Sequence, residues 1–444
     1  MKTRVIKSIF FILFFVFLMV STGKLLRYIL SDDTESYTRV AFHEMYEQDN
    51  IDVLFLGTSH CMHSFDPKIL DERLNKNTFN AASSSQALDG SLMLLKEAAK
   101  YNDIEHVYLD LFYNSSYDVR KERSQMTSAY IISDYLKPSL TKAAYLLKAS
   151  GSEHYANSFI VARRYWKKLF EPGYVSDLMK KKNTPDYREY GYKYITHENS
   201  EYTGKGYIKN LPEVKDWDFF DVWGCNPVSP DTFSQDYKDD LLEIIDFCKK
   251  NGIGITFINA PTSDFCLTAV GDYDDYVEWV RGIAKENGIE YYDFNLCREK
   301  YFPSSSEVFI DPVHLNHKGA QILDGSFAAL VNKEVAYEDM FYDSYGEKLR
   351  DIEPTVFGVT FMNSYGEDGS IVRNCRIVSN AQDELEYSIM VLSGDGNESI
   401  LRDYSDETAF TMDPEMTGSI LIKYRKIKET DGSVYTRKLT LPKN

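Results

Sequence analysis

The spacing of apolar residues along this chain changes several times, and each change marks an element. Residues Ile9 to Val20 are apolar without interruption, a pattern neither a strand nor an amphipathic helix requires. Lys2, Arg4 and Lys7 precede the run. Leu25, Leu26, Tyr28, Ile29 and Leu30 prolong it past Ser21, Thr22 and Gly23, with Lys24 and Arg27 long enough to snorkel. A basic flank before an apolar core is the pattern of an export signal. The positive-inside rule keeps that flank in the cytoplasm and sends the rest of the chain across. Two readings stand: a retained signal anchor over residues 1–30, or a signal peptide cleaved near Gly23.

Beyond this segment, short apolar runs alternate with helical spacing. Strands are expected at Asp52–Gly57, Thr78–Asn80, Val107–Phe112, Ile253–Ile258 and Ile289–Phe294. Helices are expected at Gln86–Tyr101, where Leu88, Leu92, Leu95 and Ala99 share a face, at Tyr237–Lys250 and Tyr273–Asn287, each followed by glycine, and at Lys318–Val331 behind an Asn316 N-cap. Strand–helix alternation implies an α/β fold: a parallel sheet covered on both faces, in three layers α/β/α. This unit is expected over residues 31–350, interrupted at about 121–234 by a helical and loop-rich insertion. After about Asp351 the chain changes character. Val356–Met362, Leu385–Leu392 and Ser419–Tyr424 are β-rich. Turns rich in Gly, Asp and Asn separate them at Gly366–Gly369, Gly394–Gly396 and Asp431–Gly432. Residues 351–444 are therefore expected to form an all-β sandwich.

The formal net charge of -18 argues against nucleic acid as a partner, which would demand clustered Lys and Arg. Six cysteines, Cys61, Cys225, Cys248, Cys266, Cys297 and Cys375, show neither CxxC nor zinc spacing, and most are expected to be free and buried. The 33 tyrosines are expected mainly in the core, although aromatic surfaces also stack on sugars.

Two short motifs carry chemistry. Gly57-Thr58-Ser59-His60 follows the first strand, and in an open parallel sheet the ligand crevice lies beyond the carboxyl ends of the strands. A serine there needs a base within hydrogen-bond reach. Asp311-Pro312-Val313-His314-Leu315-Asn316, before the last helix of the α/β unit, offers one. Asp311 would hold one imidazole nitrogen of His314, and the other would take the proton of Ser59, in the chain order Ser, Asp, His. Asp110, an acid in an apolar strand where it must be paired, either supports the site or caps a neighbouring turn, the structural role being favoured. Asn259 either lines the crevice or turns the chain. His60 and His63 stand three apart without a nearby third ligand, so no metal site is expected.

With GTSH after the first strand and DPVHLN before the last helix, residues 50 to 333 resemble the SGNH/GDSL hydrolase superfamily. They are most similar to its membrane-anchored extracytoplasmic branch, which includes the protein of teichoic-acid D-alanylation and the alginate-type O-acetyltransferases. The resemblance implies Ser59 as nucleophile, His314 as base and Asp311 as its orienter. It also implies an oxyanion hole built from the serine N–H, a glycine N–H and an asparagine amide. The middle blocks depart from that pattern: Phe79 to Gln86 contains no glycine, and no GxND block is present. Ser84 and Asn114 are the nearest counterparts, with His60 and Asn80 completing the expected oxyanion and substrate contacts. The implied function is acyl transfer, of acetyl or D-alanyl, or ester hydrolysis on a cell-envelope glycan or teichoic acid. No cofactor is implied. A multi-spanning membrane acyltransferase is implied as acyl donor, and the location is the membrane, single-pass, with an extracytoplasmic head. The alternative is a non-catalytic glycan-binding or assembly factor that recognises its polymer through the sandwich.

Overall fold

The computed structural model describes residues 2–120, 123, 126–191, 199–211, 219–221, 227–366, 370–393, 397–427 and 432–441. Cys225 and the expected turn positions 367–369, 394–396 and 431 lie outside the described residues.

Helix α1 (Lys2–Leu30) runs unbroken through Gly23. Its stretch Ile6–Leu30 has a mean hydropathy of 2.4 in its most apolar window, enough in length and composition to cross a membrane. Burial begins only in its last turns. Helix α2 (Tyr37–Glu47) then leads into the sheet, its N-cap Ser36 accepting from the Arg39 N–H.

The α/β unit is built on five parallel strands: β1 (Val53–Leu56), β2 (Thr78–Asn80), β3 (His106–Asp110), β7 (Gly254–Asn259) and β8 (Glu290–Asp293). Their spatial order is β2-β1-β3-β7-β8. The direction of winding reverses between β1 and β3, and open α/β sheets bind ligands at such a switch point. Every residue of β1 is buried, as a strand covered on both faces must be. On one face Phe327, from the helix His317–Val331, meets Phe55 and Tyr108 at 5.5 and 4.8 Å between ring centroids. The helices Leu88–Ala98 and Gln235–Asn251 pack on each other over the sheet. The long helices stop where backbone chemistry dictates. Gly252 and Gly288 close Gln235–Asn251 and Tyr273–Asn287 in the left-handed conformation that glycine adopts at little cost. The Asn316 side chain caps His317–Val331 by accepting the Gly319 N–H.

The insertion holds short helices between Thr127 and Arg188, then the hairpin β4 (Ser200–Gly204) and β5 (Tyr207–Asn210). Its last strand, β6 (Phe219–Asp221), leaves the α/β unit altogether. It pairs in parallel with β9 (Val356–Tyr365), Phe219 opposite Val359. The remaining strands are β10 (Ile371–Ser379), β11 (Leu385–Leu392), β12 (Glu398–Ser405), β13 (Ala409–Met412), β14 (Ser419–Lys426) and β15 (Tyr435–Thr440). They form two four-stranded sheets, β13-β10-β9-β6 and β12-β11-β14-β15. Both contribute to one separate core that includes Phe219, Ile377, Tyr387, Ile389 and Ile422. The sandwich is thus completed by a strand from outside 351–444, and the boundary read from the sequence is corrected there. Phe219 supplies the reason: its ring packs 5.0 Å from Phe361 and is buried.

Candidate active site

β1 delivers the chain to the switch point, and Gly57 makes the turn that follows feasible. A Cβ at Gly57 would lie 2.7 Å from the Asp110 Cβ and 2.9 Å from the Cys61 Cβ, so only glycine lets β3 and the next helix approach this closely. Helix α3 (Ser59–Ser64) starts at once. Thr58 caps it by accepting the His60 N–H at 3.2 Å. Ser59 therefore occupies the first helical position, partly exposed, at the carboxyl end of β1.

His314 arrives from the opposite end of the unit. Its loop is folded back on itself: the Ile310 N–H donates to the His314 carbonyl at 2.9 Å, and the Asn316 N–H to that of Val308 at 3.0 Å. Asp311 Oδ1 accepts the N–H groups of Val313 and His314, both at 2.8 Å. Its Oδ2 lies 2.9 Å from His314 Nδ1. The other imidazole nitrogen, Nε2, lies 2.8 Å from Ser59 Oγ, across 255 residues of sequence. With Nδ1 donating to Asp311, Nε2 is the nitrogen free to accept the serine proton. Burial alone would raise the Asp311 carboxyl. The hydrogen bond and charge of His314 and the two backbone N–H groups outweigh it, and the carboxyl sits below its usual value.

Two further imidazoles surround the relay. The His60 ring stacks on Phe112 at 3.7 Å and stands 5.1 Å from His314. His63 Nδ1 bonds the Ile208 carbonyl at 2.8 Å, and its ring meets His314 edge-on at 5.6 Å. Burial, followed by the charge of His314, pushes His60 well below its ordinary value and His63 down to about 4. Both are therefore neutral near pH 7 and add no positive charge beside His314. Among the described residues, no group of three or more His, Cys, Asp or Glu side chains is placed to hold a metal ion.

The crevice at Ser59 has a volume of about 230 Å³. Ser85, Phe112, Asn114 and Asp118 line it, drawn from the segments after β2 and β3. Of the expected oxyanion and substrate residues, the structure places Asn114 here. Ser84 is engaged elsewhere: its N–H donates to the Tyr37 hydroxyl at 2.9 Å, which in turn donates to Ser84 Oγ. Asn80 is buried, with its amide hydrogens on the carbonyls of Cys61 and Phe65 and its oxygen accepting from the Ala82 N–H. That side chain holds α3 onto the sheet and has no donor left for a ligand. His60 packs beside the relay rather than lining the crevice. Ser85 is the residue the sequence reading missed. Its φ of +53° is a conformation glycine adopts more cheaply, in the segment where the family resemblance implies a glycine. Nothing in a Ser-Ser-Ser run singles out which serine bends.

Asp110 and Asn259 belong to the support. Asp110 Oδ1 accepts the Ala260 N–H at 2.9 Å beneath Gly57. The Asn259 amide donates to the hydroxyls of Tyr273 and Tyr291 and to Asp293. Cys61, Cys248, Cys297 and Cys375 are free and buried, and Cys266 is buried.

Fold and site together define an α/β protein with a serine–histidine–aspartate relay at the switch point of its sheet. No family model and no curated protein matches the chain. Two of the solved structures similar to it are these. One, from Bacteroides fragilis NCTC 9343, is described as a "putative acylhydrolase", with 10% identity and a TM-score of 0.30, covering 66% of this chain and 94% of that one. The other is a GDSL-like lipase from Bacteroides thetaiotaomicron VPI-5482, with 9% identity and a TM-score of 0.30, covering 68% of this chain and 99% of that one. Likeness this remote transfers no residue roles.

Proposed function

We propose that this chain is a membrane-anchored serine enzyme of the SGNH type that transfers or hydrolyses ester-linked acyl groups on a cell-envelope polysaccharide or teichoic acid. The observation that carries this reading is the relay itself, with Ser59 Oγ 2.8 Å from His314 Nε2 and Asp311 Oδ2 2.9 Å from His314 Nδ1. Ser59 Oγ attacks the ester carbonyl while its proton passes to His314 Nε2. The carbonyl oxygen becomes an oxyanion, for which the Ser59 and Ser85 N–H groups and the Asn114 amide are the candidate donors around the crevice. As the tetrahedral intermediate collapses, the departing alcohol takes the proton back from His314 and an acyl-serine remains. A polymer hydroxyl (transfer) or water (hydrolysis) then attacks it, with His314 again as base. Asp311 stays ionised and holds the imidazole in one tautomer. This chemistry uses no cofactor.

The anchor supports an envelope substrate. Lys2, Arg4 and Lys7 mark one end of α1 as cytoplasmic, and the head follows the other end. Acetyl or D-alanyl is the acyl group, delivered by a multi-spanning membrane acyltransferase. The relay favours this catalytic reading over a purely glycan-binding assembly factor. The test is turnover of p-nitrophenyl acetate by the full chain in neutral detergent, beside Ser59→Ala and His314→Ala. Wild type is expected to turn over and each variant to lose roughly 10³-fold or more in kcat. Folded variants as active as wild type would overturn the reading.

A further inference from the structure

A second cavity, of about 550 Å³, opens where α1 enters the head. In a chain of net charge -18 its lining is unusual, because Arg27, Arg39, Lys137 and Arg188 all border it. Two carboxylates border it too, but both are already neutralised. Lys182 Nζ lies 2.7 Å from Asp33, and Arg164 Nη2 lies 2.6 Å from both oxygens of Asp134. Among the described residues, Arg27, Lys137 and Arg188 form no ion pair, and Arg39 approaches Asp33 only at 3.9 Å. Arg27 donates to the Asp134 carbonyl and Arg188 to the Asn183 side-chain oxygen, while Arg39 and Lys137 rest on aromatic rings. Arg39 lies 3.7 Å over Tyr187 and 4.1 Å over Tyr190, and Lys137 lies 3.9 Å over Tyr46. Such stacking fixes a cation without neutralising it, which leaves its charge available to an anion. Burial, and then the Arg27 charge, lowers the Lys142 ammonium to about 8.

A second observation points to where the anion comes from. The short helices Val161–Tyr165 and Tyr174–Lys182 and the turn Trp166–Phe170 pack against α1. They grip its end: the Tyr174 hydroxyl donates to the Leu30 carbonyl at 2.8 Å, and Lys182 Nζ to those of Tyr28 and Ser31. Yet this segment leaves Phe159, Ile160, Trp166, Leu169 and Phe170 exposed, Phe170 by 75%. Large apolar side chains around the mouth of an apolar helix suit the water–lipid interface, where tryptophan is enriched. With these side chains in the interface, the cationic cavity beside them would face the lipid headgroups.

We infer that this cavity binds the phosphate of an anionic membrane lipid, seating the head on the bilayer. The inference rests on the anchored reading of α1. The test uses the full chain in neutral maltoside micelles, titrated by calorimetry with dioctanoyl phosphatidylglycerol, dioctanoyl phosphatidylcholine and inorganic phosphate. The expected order is phosphatidylglycerol tightest and the zwitterionic lipid at least tenfold weaker. The double variant Lys137→Gln/Arg188→Gln is expected to lose roughly tenfold or more of the phosphatidylglycerol affinity, from two lost cations near a headgroup. Both side chains lie outside the core, and an unchanged melting temperature shows that the fold is intact. Equal binding of the two lipids, or no loss in the double variant, would overturn the site. Inorganic phosphate binding as tightly as the lipid would overturn the lipid as its source. Whether the native chain is recovered from membranes with Ile9–Val20 attached tests the anchor separately.

Discussion

Asp110 ends β3 with a buried carboxyl, directly beneath the turn that carries Ser59. Burial drives it up, the Ala260 and Cys61 N–H groups draw it back, and the nearby Asp293 charge adds to the rise, leaving it at about 7. Between an ordinary value near 3.8 and that value, the folded chain holds a proton the unfolded chain has lost. Stability from this group is therefore complete below about pH 4 and falls as pH rises through 7. Asp110→Asn keeps an oxygen for Ala260 and removes the titration. Its stability relative to wild type is expected to improve from pH 4 to pH 7 and to level off above that, by up to about 4 kcal/mol across the window. Urea melts of both proteins at several pH values read this, and a constant difference would show that Asp110 is ionised throughout. At this scale the sequence was legible where one motif contains both partners, as in Asp311 and His314. It was not legible for Ser84 and Asn80. Their hydrogen bonds go to Tyr37 and to the carbonyls of α3, partners that only the folded chain brings within reach.

At the scale of elements, the strand–turn–helix from Val53 to Ser64 aims Ser59, and its tightest point is Gly57. A methyl group there would press on Asp110 and Cys61, side chains of two different elements, neither able to swing away within the core. Relief requires α3 to move as a body. Gly57→Ala is expected to cost about 1–3 kcal/mol of stability, as overpacking does. Its effect on kcat should be larger, roughly 10²-fold, because a shift of about 1 Å separates Ser59 from His314. Thermal melts beside p-nitrophenyl acetate kinetics separate the two effects, and a variant with lowered melting temperature but intact kcat would show that α3 does not set the alignment. The five strands of the parallel sheet and its long helices were legible because apolar period and glycine stops are local signals. β6 was not. Three residues in the loop-rich insertion carry no periodicity, and their pairing with β9 depends on a strand more than a hundred residues away.

At the scale of the molecule, the sandwich is connected to the relay through a short chain of contacts. The linker helix Tyr345–Asp351 inserts Lys348, whose Nζ lies 2.8 Å from Asp264 and donates to the Asn295 carbonyl. Asn380 of the sandwich donates to the carbonyls of Leu349, Ile352 and Glu353, fixing that linker. The helix Asp264–Val270 in turn packs on β9 and β10. Its cap, Ser263, donates through N–H and hydroxyl to the Pro312 carbonyl, at 3.1 and 2.6 Å, between Asp311 and His314. A chain ending after Glu353 would keep every residue of the relay but lose what supports that helix, and β6 would lose its partner. An orphaned apolar strand is also a site for association. The truncated chain is therefore expected to melt lower and to lose kcat toward p-nitrophenyl acetate, a substrate too small to reach any glycan site on the sandwich. Loss of kcat on this small ester would identify the sandwich as a buttress of the His314 loop. Full activity at an unchanged melting temperature would instead leave it a recognition or spacing module, and polymer binding would become the property to measure.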